Sequence, residues 1–199
     1  MSASKRPALD ATAKGALSAL LARLFAGEPD LALYRQLRVV EHPALTWVEP
    51  SLLAHPEARA VEALAVEYCR LFVGPQPACP PYASAQGGEV LLGGRPRTRL
   101  DAFLVRHGVP APDPGWRIAS PDHIAVELAV LARLYAGDAP AALVQELLTQ
   151  HLWPWAPAWL AHVASASRYQ LYRTAAQLGV ALLDDEHAVP RPRGTARDD

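Results

Sequence analysis

Apolar residues recur every three or four positions along most of this chain, which is the spacing of amphipathic helices. No segment of useful length alternates with period two, so the pattern predicts no sheet. Gly and Pro residues separate the periodic segments, as they do at helix ends. The predicted helices cover residues 10–25 and 31–40, a long stretch after Pro56, residues 98–107, two stretches after Pro121 and Pro140, and residues 158–178. The sequence therefore predicts an all-α fold of about eight to ten helices.

One long aperiodic segment, residues 75–97, and a proline-rich connector at 110–114 divide this series of helices. A loop of that length is uncommon in a compact domain unless it has a function. We therefore expect one all-helical domain over residues 1–184. Its N-terminal lobe covers about 10–107 and its C-terminal lobe about 116–184.

Composition and charge exclude several classes of function. The 199 residues carry a formal net charge of −1, which argues against charge-driven binding of nucleic acid or anionic lipid. No apolar run approaches the roughly 18 residues of a membrane span, and no signal-peptide pattern is present. Cys69 and Cys79 form neither a C-x-x-C motif nor a disulfide framework. We expect a cytoplasmic, reduced protein whose residues 185–199, rich in Pro, Arg and Asp, form a disordered tail.

One predicted helix start combines capping residues with ionisable side chains. Ser120 is predicted to cap the helix, Pro121 to be its first residue, and Asp122 to lie in its first turn, where the helix dipole favours an anion. His123 and Glu127 are four residues apart and therefore share a face. We interpret this helix start as a place that can hold a cationic or polar partner.

Three blocks of sequence carry a family resemblance. The first is Y-x-x-L-F-x-G-P at 68–75, followed by P-P-Y-x-S at 80–84; the second is P-D-H-x-x-x-E-L at 121–128. The third runs from Leu147 to an aromatic run of Trp153, Trp155 and Trp159. In order and spacing these blocks resemble the TorD/DmsD-type chaperones, the redox-enzyme maturation proteins dedicated to molybdoenzymes.

The resemblance implies a helical chaperone of the cytoplasm that is not an enzyme and holds no cofactor or metal. Its expected partner is the apo form of a molybdopterin-containing oxidoreductase, its twin-arginine signal peptide, or both. Such a chaperone aids cofactor insertion and proofreads its client before export. We expect a monomer or a domain-swapped dimer, because the long loop and the proline-rich connector allow either.

A twin-arginine peptide presents two guanidinium groups followed by an apolar segment. Its recognition needs carboxylates that pair bidentately with arginine, next to an apolar groove. Asp122 and Glu127 are the candidate carboxylates, with His123 beside them. The remaining candidate peptide-binding residues are Tyr68, Leu71, Phe72, Pro81 and Tyr82.

Each of these residues also has a structural interpretation. Asp122 can simply stabilise its helix, and His123 can be a core histidine bonded to a carbonyl group. Glu127 can pair with Arg70, Arg133 or another cation inside the molecule. The aromatic and leucine side chains at helical spacing are typical of a core.

Three other functions stay open at this point. A helical metal-dependent hydrolase would use a site such as His123, Glu127 and His151. A nucleotide-dependent regulator would need a phosphate-binding loop, and the glycine pairs at 87–88 and 93–94 do not match that motif. A chaperone for a molybdoenzyme subunit that is not exported is the third.

Overall fold

A computed structural model describes residues 9–40, 46–89, 91–112 and 118–188. These residues contain ten α-helices and two π-helical turns, and no strand. The helices are α1 (Ala11–Ala26), α2 (Leu31–Arg38), α3 (Pro50–Leu53), α4 (Glu57–Tyr68), α5 (Ala83–Gln86), α6 (Gly94–His107), α7 (Ile124–Ala136), α8 (Ala141–Leu147), α9 (Ala156–Ala166) and α10 (Gln170–Ala188). The π-helical turns are π1 (Cys69–Val73) after α4 and π2 (Leu148–Leu152) after α8. The all-α prediction is confirmed.

Local sequence explains several of the helix ends. Asp10 and Asp30 cap α1 and α2, because their carboxylates accept hydrogen bonds from the amides of Ala13 and Leu33, both at 2.7 Å. Helix α6 ends at Gly108, whose left-handed backbone (φ 60°) is the usual helix stop. None of the helices in the described ranges is long and apolar enough to cross a bilayer.

The predicted start of α7 is wrong. The helix begins at Ile124, and its cap is His123, whose Nδ1 accepts a hydrogen bond from the amide of Ala125 at 3.1 Å. Ser120 does not cap it, and Pro121 and Asp122 form a turn before the helix rather than its first turn. The reason is tertiary, because the backbone around His123 is extended where it pairs with a distant segment of the chain.

The predicted helix over 158–178 is also wrong, since two helices, α9 and α10, occupy this region. Gly179 does not end a helix but lies inside α10, where a Cβ atom would approach both Cδ atoms of Leu160 at 3.0 Å. Close packing of α9 on α10 therefore accounts for this glycine. Helix α10 continues to Ala188, so the first residues of the predicted disordered tail are helical, and 189–199 lie outside the described residues.

The predicted long loop over 75–97 contains helical structure as well. It includes the short helix α5, and α6 begins at Gly94 rather than Thr98. Period-based prediction misses both, because α5 has only four residues and the first turn of α6 is mostly polar.

The buried residues form one core. Helix α1 packs along α7 and also touches α10, so elements from both predicted lobes share the interior. An aromatic cluster occupies part of this core; its members are Phe25, Tyr68, Phe72, Trp159 and Tyr172. The division of the chain into two lobes stays a prediction.

Candidate functional site

Two of the sequence blocks meet in space. The amide of Ala83 donates to the carbonyl of Asp122, and the amide of Ile124 donates to the carbonyl of Pro81, both at 2.9 Å. Between these hydrogen bonds Tyr82 and His123 form an isolated antiparallel bridge, with their rings edge to face at 4.8 Å. The P-P-Y-x-S segment therefore lies against the P-D-H segment, about forty residues further along the chain.

Asp122 joins these segments through its side chain. Its Oδ2 accepts a hydrogen bond from the amide of Ser84 at 2.9 Å, and the Asp122 side chain is fully buried. The side chain of Tyr82, the residue before α5, makes no capping hydrogen bond to that helix, so Asp122 supplies the acceptor. Ser84 in turn accepts from the amide of Gly93 at 2.9 Å. Asp122 thus holds the 82–93 segment in place.

Gly93 is required where this segment closes. Its backbone is in the left-handed region (φ 93°), and a Cβ atom there would lie 2.7 Å from Oγ of Ser120. Any larger residue at position 93 would have to displace the buried side chain of Ser120.

His123 is a neutral capping residue in this structure. Its ring is buried, and burial lowers the pKa of His123 to about 4, although the nearby Asp122 opposes this shift. The core interpretation of His123 expected its ring to bond a carbonyl group. Its Nδ1 instead accepts a hydrogen bond from an amide.

Next to this junction a cleft of about 1050 Å³ opens to the solvent. Helix α5 and the start of α6 form one side of it, and π2 and the start of α9 form the other. Glu127 of α7 lies on its floor. Its apolar lining consists of Ala83, Pro96, Pro154, Trp155 and Ala158.

Glu127 is a buried carboxyl group with one hydrogen bond to the described residues. Nε1 of Trp155 donates to its Oε2 at 3.1 Å. Burial raises the pKa of Glu127 well above its usual range, and the Trp155 hydrogen bond only partly offsets this. Neither cation named as a possible partner contacts it, because Arg70 binds Glu67 at 2.7 Å and Arg133 donates to the carbonyl of Pro110.

The turn π2 brings His151 into the same cleft. The ring of His151 packs edge to face on Phe103, with centroids 5.4 Å apart, and its Nε2 finds no hydrogen-bond partner in the described residues. Burial, with a contribution from Arg99, lowers the pKa of His151 to about 4. Single π-helical turns inside α-helices are frequent at functional sites.

The mouth of the cleft carries charge and exposed apolar side chains. Arg95 and Arg99 are exposed on α6, and Glu89 lies 4.0 Å from Arg95. Leu91 and Leu92 are exposed in the adjoining segment. A ligand entering here meets apolar surface, hydrogen-bonding groups and two guanidinium groups before it reaches Glu127.

The sequence-predicted residues separate into two groups. Pro81, Tyr82, Asp122 and His123 form the junction beside the cleft, and Glu127 is the one predicted residue that lines the cleft. The other three predicted residues, Tyr68, Leu71 and Phe72, are buried in the core and do not line the cleft. Their assignment to peptide binding stays a prediction.

Sequence reasoning missed several residues of the cleft. Arg95 lies in the predicted loop over 75–97 and Arg99 in the predicted helix over 98–107, and neither was a predicted site residue. In the sequence, Trp155 was identified only as part of the aromatic run that carries the family resemblance. The unexplained length of the 75–97 segment is the signal that could have indicated a site. No three His, Cys, Asp or Glu side chains converge as a metal site in the described ranges.

Replacing Asp122 by alanine should lower the free energy of unfolding by about 1.5–3 kcal/mol, since the buried amide of Ser84 loses a charged acceptor. Asp122→Asn keeps an acceptor and should cost less. Urea unfolding gives the free energy, and hydrogen exchange of the Ser84 amide should accelerate. Asp101→Ala, at an exposed ion pair with Arg97, is the control and should change the free energy by under about 1 kcal/mol. If Asp122→Ala kept normal stability but bound a peptide more weakly, Asp122 would not be the residue that holds the 82–93 segment in place.

Several known proteins resemble this chain in sequence. The family model described as nitrate reductase delta subunit matches residues 9–161. Two proteins named chaperone protein TorD, from Vibrio cholerae serotype O1 strains M66-2 and ATCC 39541, are 30% identical over 139 residues. These matches cover 63% of this chain and 62% of each relative, which is less than two thirds of the relatives' length.

A solved structure shares the fold. It is a candidate redox enzyme maturation protein from Archaeoglobus fulgidus, with a TM-score of 0.54 and 24% sequence identity. The match covers 86% of this chain and 93% of that protein. At this identity the likeness concerns the helical architecture alone.

Proposed function

The chain belongs to the TorD-like nitrate reductase delta subunit family, and on that premise we propose that it is a maturation chaperone for a molybdopterin-containing oxidoreductase. The resemblance carried by the three sequence blocks is confirmed by the family match. As a chaperone it would act on its client by binding rather than by catalysis, in the cytoplasm, before the client is exported. The names of the TorD relatives support this role.

We further propose that the chaperone binds the twin-arginine signal peptide of its client, and that the cleft above Glu127 receives one guanidinium group. The observation that carries this is the position of Glu127, a buried carboxyl group on the floor of an open cleft with apolar walls. A guanidinium group there would find a carboxyl group that can pair bidentately and is itself buried, where charged hydrogen bonds are strong. The apolar lining and exposed Leu91 and Leu92 would contact the apolar part of the peptide.

Binding to the apo client would keep it from the export machinery until its cofactor is inserted. A chaperone for a subunit that is not exported would use the same cleft for another segment of its client. The two alternatives differ in one measurable respect, because only the first requires arginine in the peptide.

The affinity for a twin-arginine peptide should rise with pH. Burial raises the pKa of Glu127 in the free protein and so favours its protonated form, whereas a guanidinium group binds the carboxylate, so binding is coupled to release of that proton. While Glu127 is protonated in the free state, the affinity should increase by up to about tenfold per pH unit. Calorimetric titration at pH 6, 7 and 8, in buffers of different ionisation enthalpy, measures both the affinity and the proton release.

Glu127→Gln should abolish the pH dependence and weaken binding by about tenfold or more at pH 8, which corresponds to at least about 1.4 kcal/mol. Glu62→Gln, on an exposed face of α4, is the matched control and should behave as the parent protein. A peptide with two lysines in place of its arginines should bind more weakly, because an ammonium group cannot pair bidentately. Equal affinities for parent and Glu127→Gln at every pH would exclude Glu127 as the contact. Equal affinities for both peptides would favour the client that is not exported.

A further inference from the structure

A second cavity, of about 770 Å³, lies between α1, α7, α8 and α10, and we call it the α8 groove. It shares only Gln150 with the lining of the cleft. Part of its lining is apolar, and most of the apolar side chains are small; they are Ala11, Leu134, Ala139, Ala141, Ala142 and Val144. A volume of this size lies within the range of protein ligand sites.

The charged groups of the α8 groove are mostly acidic. Asp138, Glu146 and Glu186 line it, against the ammonium group of Lys14. Lys14 is already neutralised, because its Nζ lies 2.7 Å from Glu186 and 2.9 Å from Asp185. Asp138 and Glu146 therefore leave the groove with net negative charge.

Glu146 is partly neutralised from outside the groove. Arg106 lies 3.0 Å and His107 3.1 Å from its carboxylate, and the Arg106 side chain is largely exposed. Because the Arg106 guanidinium is solvated, its pair with Glu146 is screened and contributes little. The combination of small apolar walls and acidic ends fits an extended segment that carries arginine between small or proline residues.

The chain itself supplies such a segment next to the groove. Helix α10 ends at Ala188, two residues after Glu186, which lines the groove. The following eleven residues, 189–199, read V-P-R-P-R-G-T-A-R-D-D. Arg191 and Arg193 alternate with prolines, a pattern that favours the extended polyproline conformation at about 3.1 Å per residue.

We propose that residues 189–199 bind in the α8 groove of their own chain, with Arg191 and Arg193 directed to Asp138 and Glu146. Position 193 is five residues beyond Ala188 and can therefore reach about 15 Å from the helix end. The tether raises the effective concentration of the segment to the millimolar range, so weak contacts suffice. The prolines also reduce the conformational entropy that is lost on binding.

Occupation of the α8 groove has a consequence for partners. A basic segment of another protein that fits this groove has to displace residues 189–199 first. The segment then acts as an internal competitor that raises the concentration of partner needed for binding. Binding of residues 189–199 in the α8 groove does not depend on peptide binding in the cleft above Glu127, so either proposal can fail without the other.

Zero-length cross-linking of the full chain tests the proposal. A carbodiimide joins an amine to a carboxylate only at ion-pair distance, and the chain has just two lysines, Lys5 and Lys14. The ammonium group introduced by Arg193→Lys should link to Asp138 or Glu146 within the monomer, as mapped by mass spectrometry. In an otherwise identical protein, the ammonium group introduced by Arg95→Lys should link to Glu89, its present neighbour at 4.0 Å, and shows that the chemistry works.

Two groove variants make the result specific. Ala142→Arg adds a cation to the exposed lining of the groove and should reduce the link from position 193 by about tenfold, whereas Val66→Arg, at an exposed position of α4 outside that lining, should leave it unchanged. Asp138→Asn combined with Glu146→Gln should remove the link. The proposal is overturned if position 193 links equally to carboxylates elsewhere, links only between two copies, or forms no link while the Arg95→Lys control does.

Discussion

Replacing Phe72 by alanine should lower the free energy of unfolding by about 3–5 kcal/mol, because it removes a large buried ring and leaves a cavity. Phe72 is 3% exposed and touches four other aromatic rings. The centroid distances are 5.1 Å to Tyr68, 5.6 Å to Tyr172, 5.8 Å to Trp159 and 5.9 Å to Phe25. Urea unfolding followed by circular dichroism measures the loss.

Two variants give this expectation its controls. Phe72→Leu keeps most of the volume and should cost much less than Phe72→Ala. Val73→Ala, at the next residue, changes an exposed side chain and should stay within about 0.5 kcal/mol of the parent. If Phe72→Ala retained the parent's stability but lost affinity for a twin-arginine peptide, Phe72 would be a binding residue, as its motif suggested, and not a core residue.

Acidification should destabilise the protein steeply between pH 6.5 and pH 4. An unfolded histidine takes up a proton near pH 6.5, whereas burial holds the pKa of folded His123 at about 4. The unfolded state therefore binds more protons in this range, and the free energy of unfolding falls as the pH falls. His123 alone contributes about 3 kcal/mol of stability above pH 6.5 that is lost on acidification. His151, whose pKa burial also lowers to about 4, acts in the same direction.

Glu127 acts in the opposite direction. Because burial raises its pKa, its contribution to the free energy of unfolding is largest below its ordinary titration range and decreases as the pH rises. The variant His123→Asn isolates the contribution of His123 to the pH dependence, since asparagine is a good helix cap that does not titrate between pH 4 and 7. Urea unfolding at several pH values should show a shallower pH dependence for His123→Asn than for the parent. His55→Asn, at an exposed histidine, should retain the parent's pH dependence. Equal slopes for the parent and His123→Asn would mean that His123 is not held neutral.

The helices of this protein were largely predictable, because helix periodicity and capping act over a few residues. Helix α1 shows this well, with Asp10 as its cap and Gly27 after its last residue. The structure differs from prediction where contacts between distant residues compete with local preference. The segment Ser120-Pro121-Asp122 has the local chemistry of a helix start, yet Pro121 and Asp122 form a turn, because pairing with Tyr82 keeps the next residue, His123, extended.

The candidate site was predictable only in part. Its motifs identified Asp122, His123 and Glu127, but not what each side chain contacts. Asp122 caps a helix that begins 39 positions earlier, at Ala83, and Glu127 accepts from Trp155, 28 residues later. No local pattern encodes these partners, because they depend on how whole helices pack. Arg95 and Arg99 likewise belong to the cleft only through the position of α6 against π2 and α9.

By itself the sequence determined the all-α class, most helix positions and the family, since these rest on short-range spacing and on residue identity. The tertiary structure alone decided that Tyr68 and Phe72 lie in the core, that Glu127 lies under an open cleft, and that α10 ends beside an acidic groove. The physical reason is that burial and charge environment are properties of the packed molecule. A carboxyl group such as that of Glu127 acquires its raised pKa only when α7, π2 and α9 close around it.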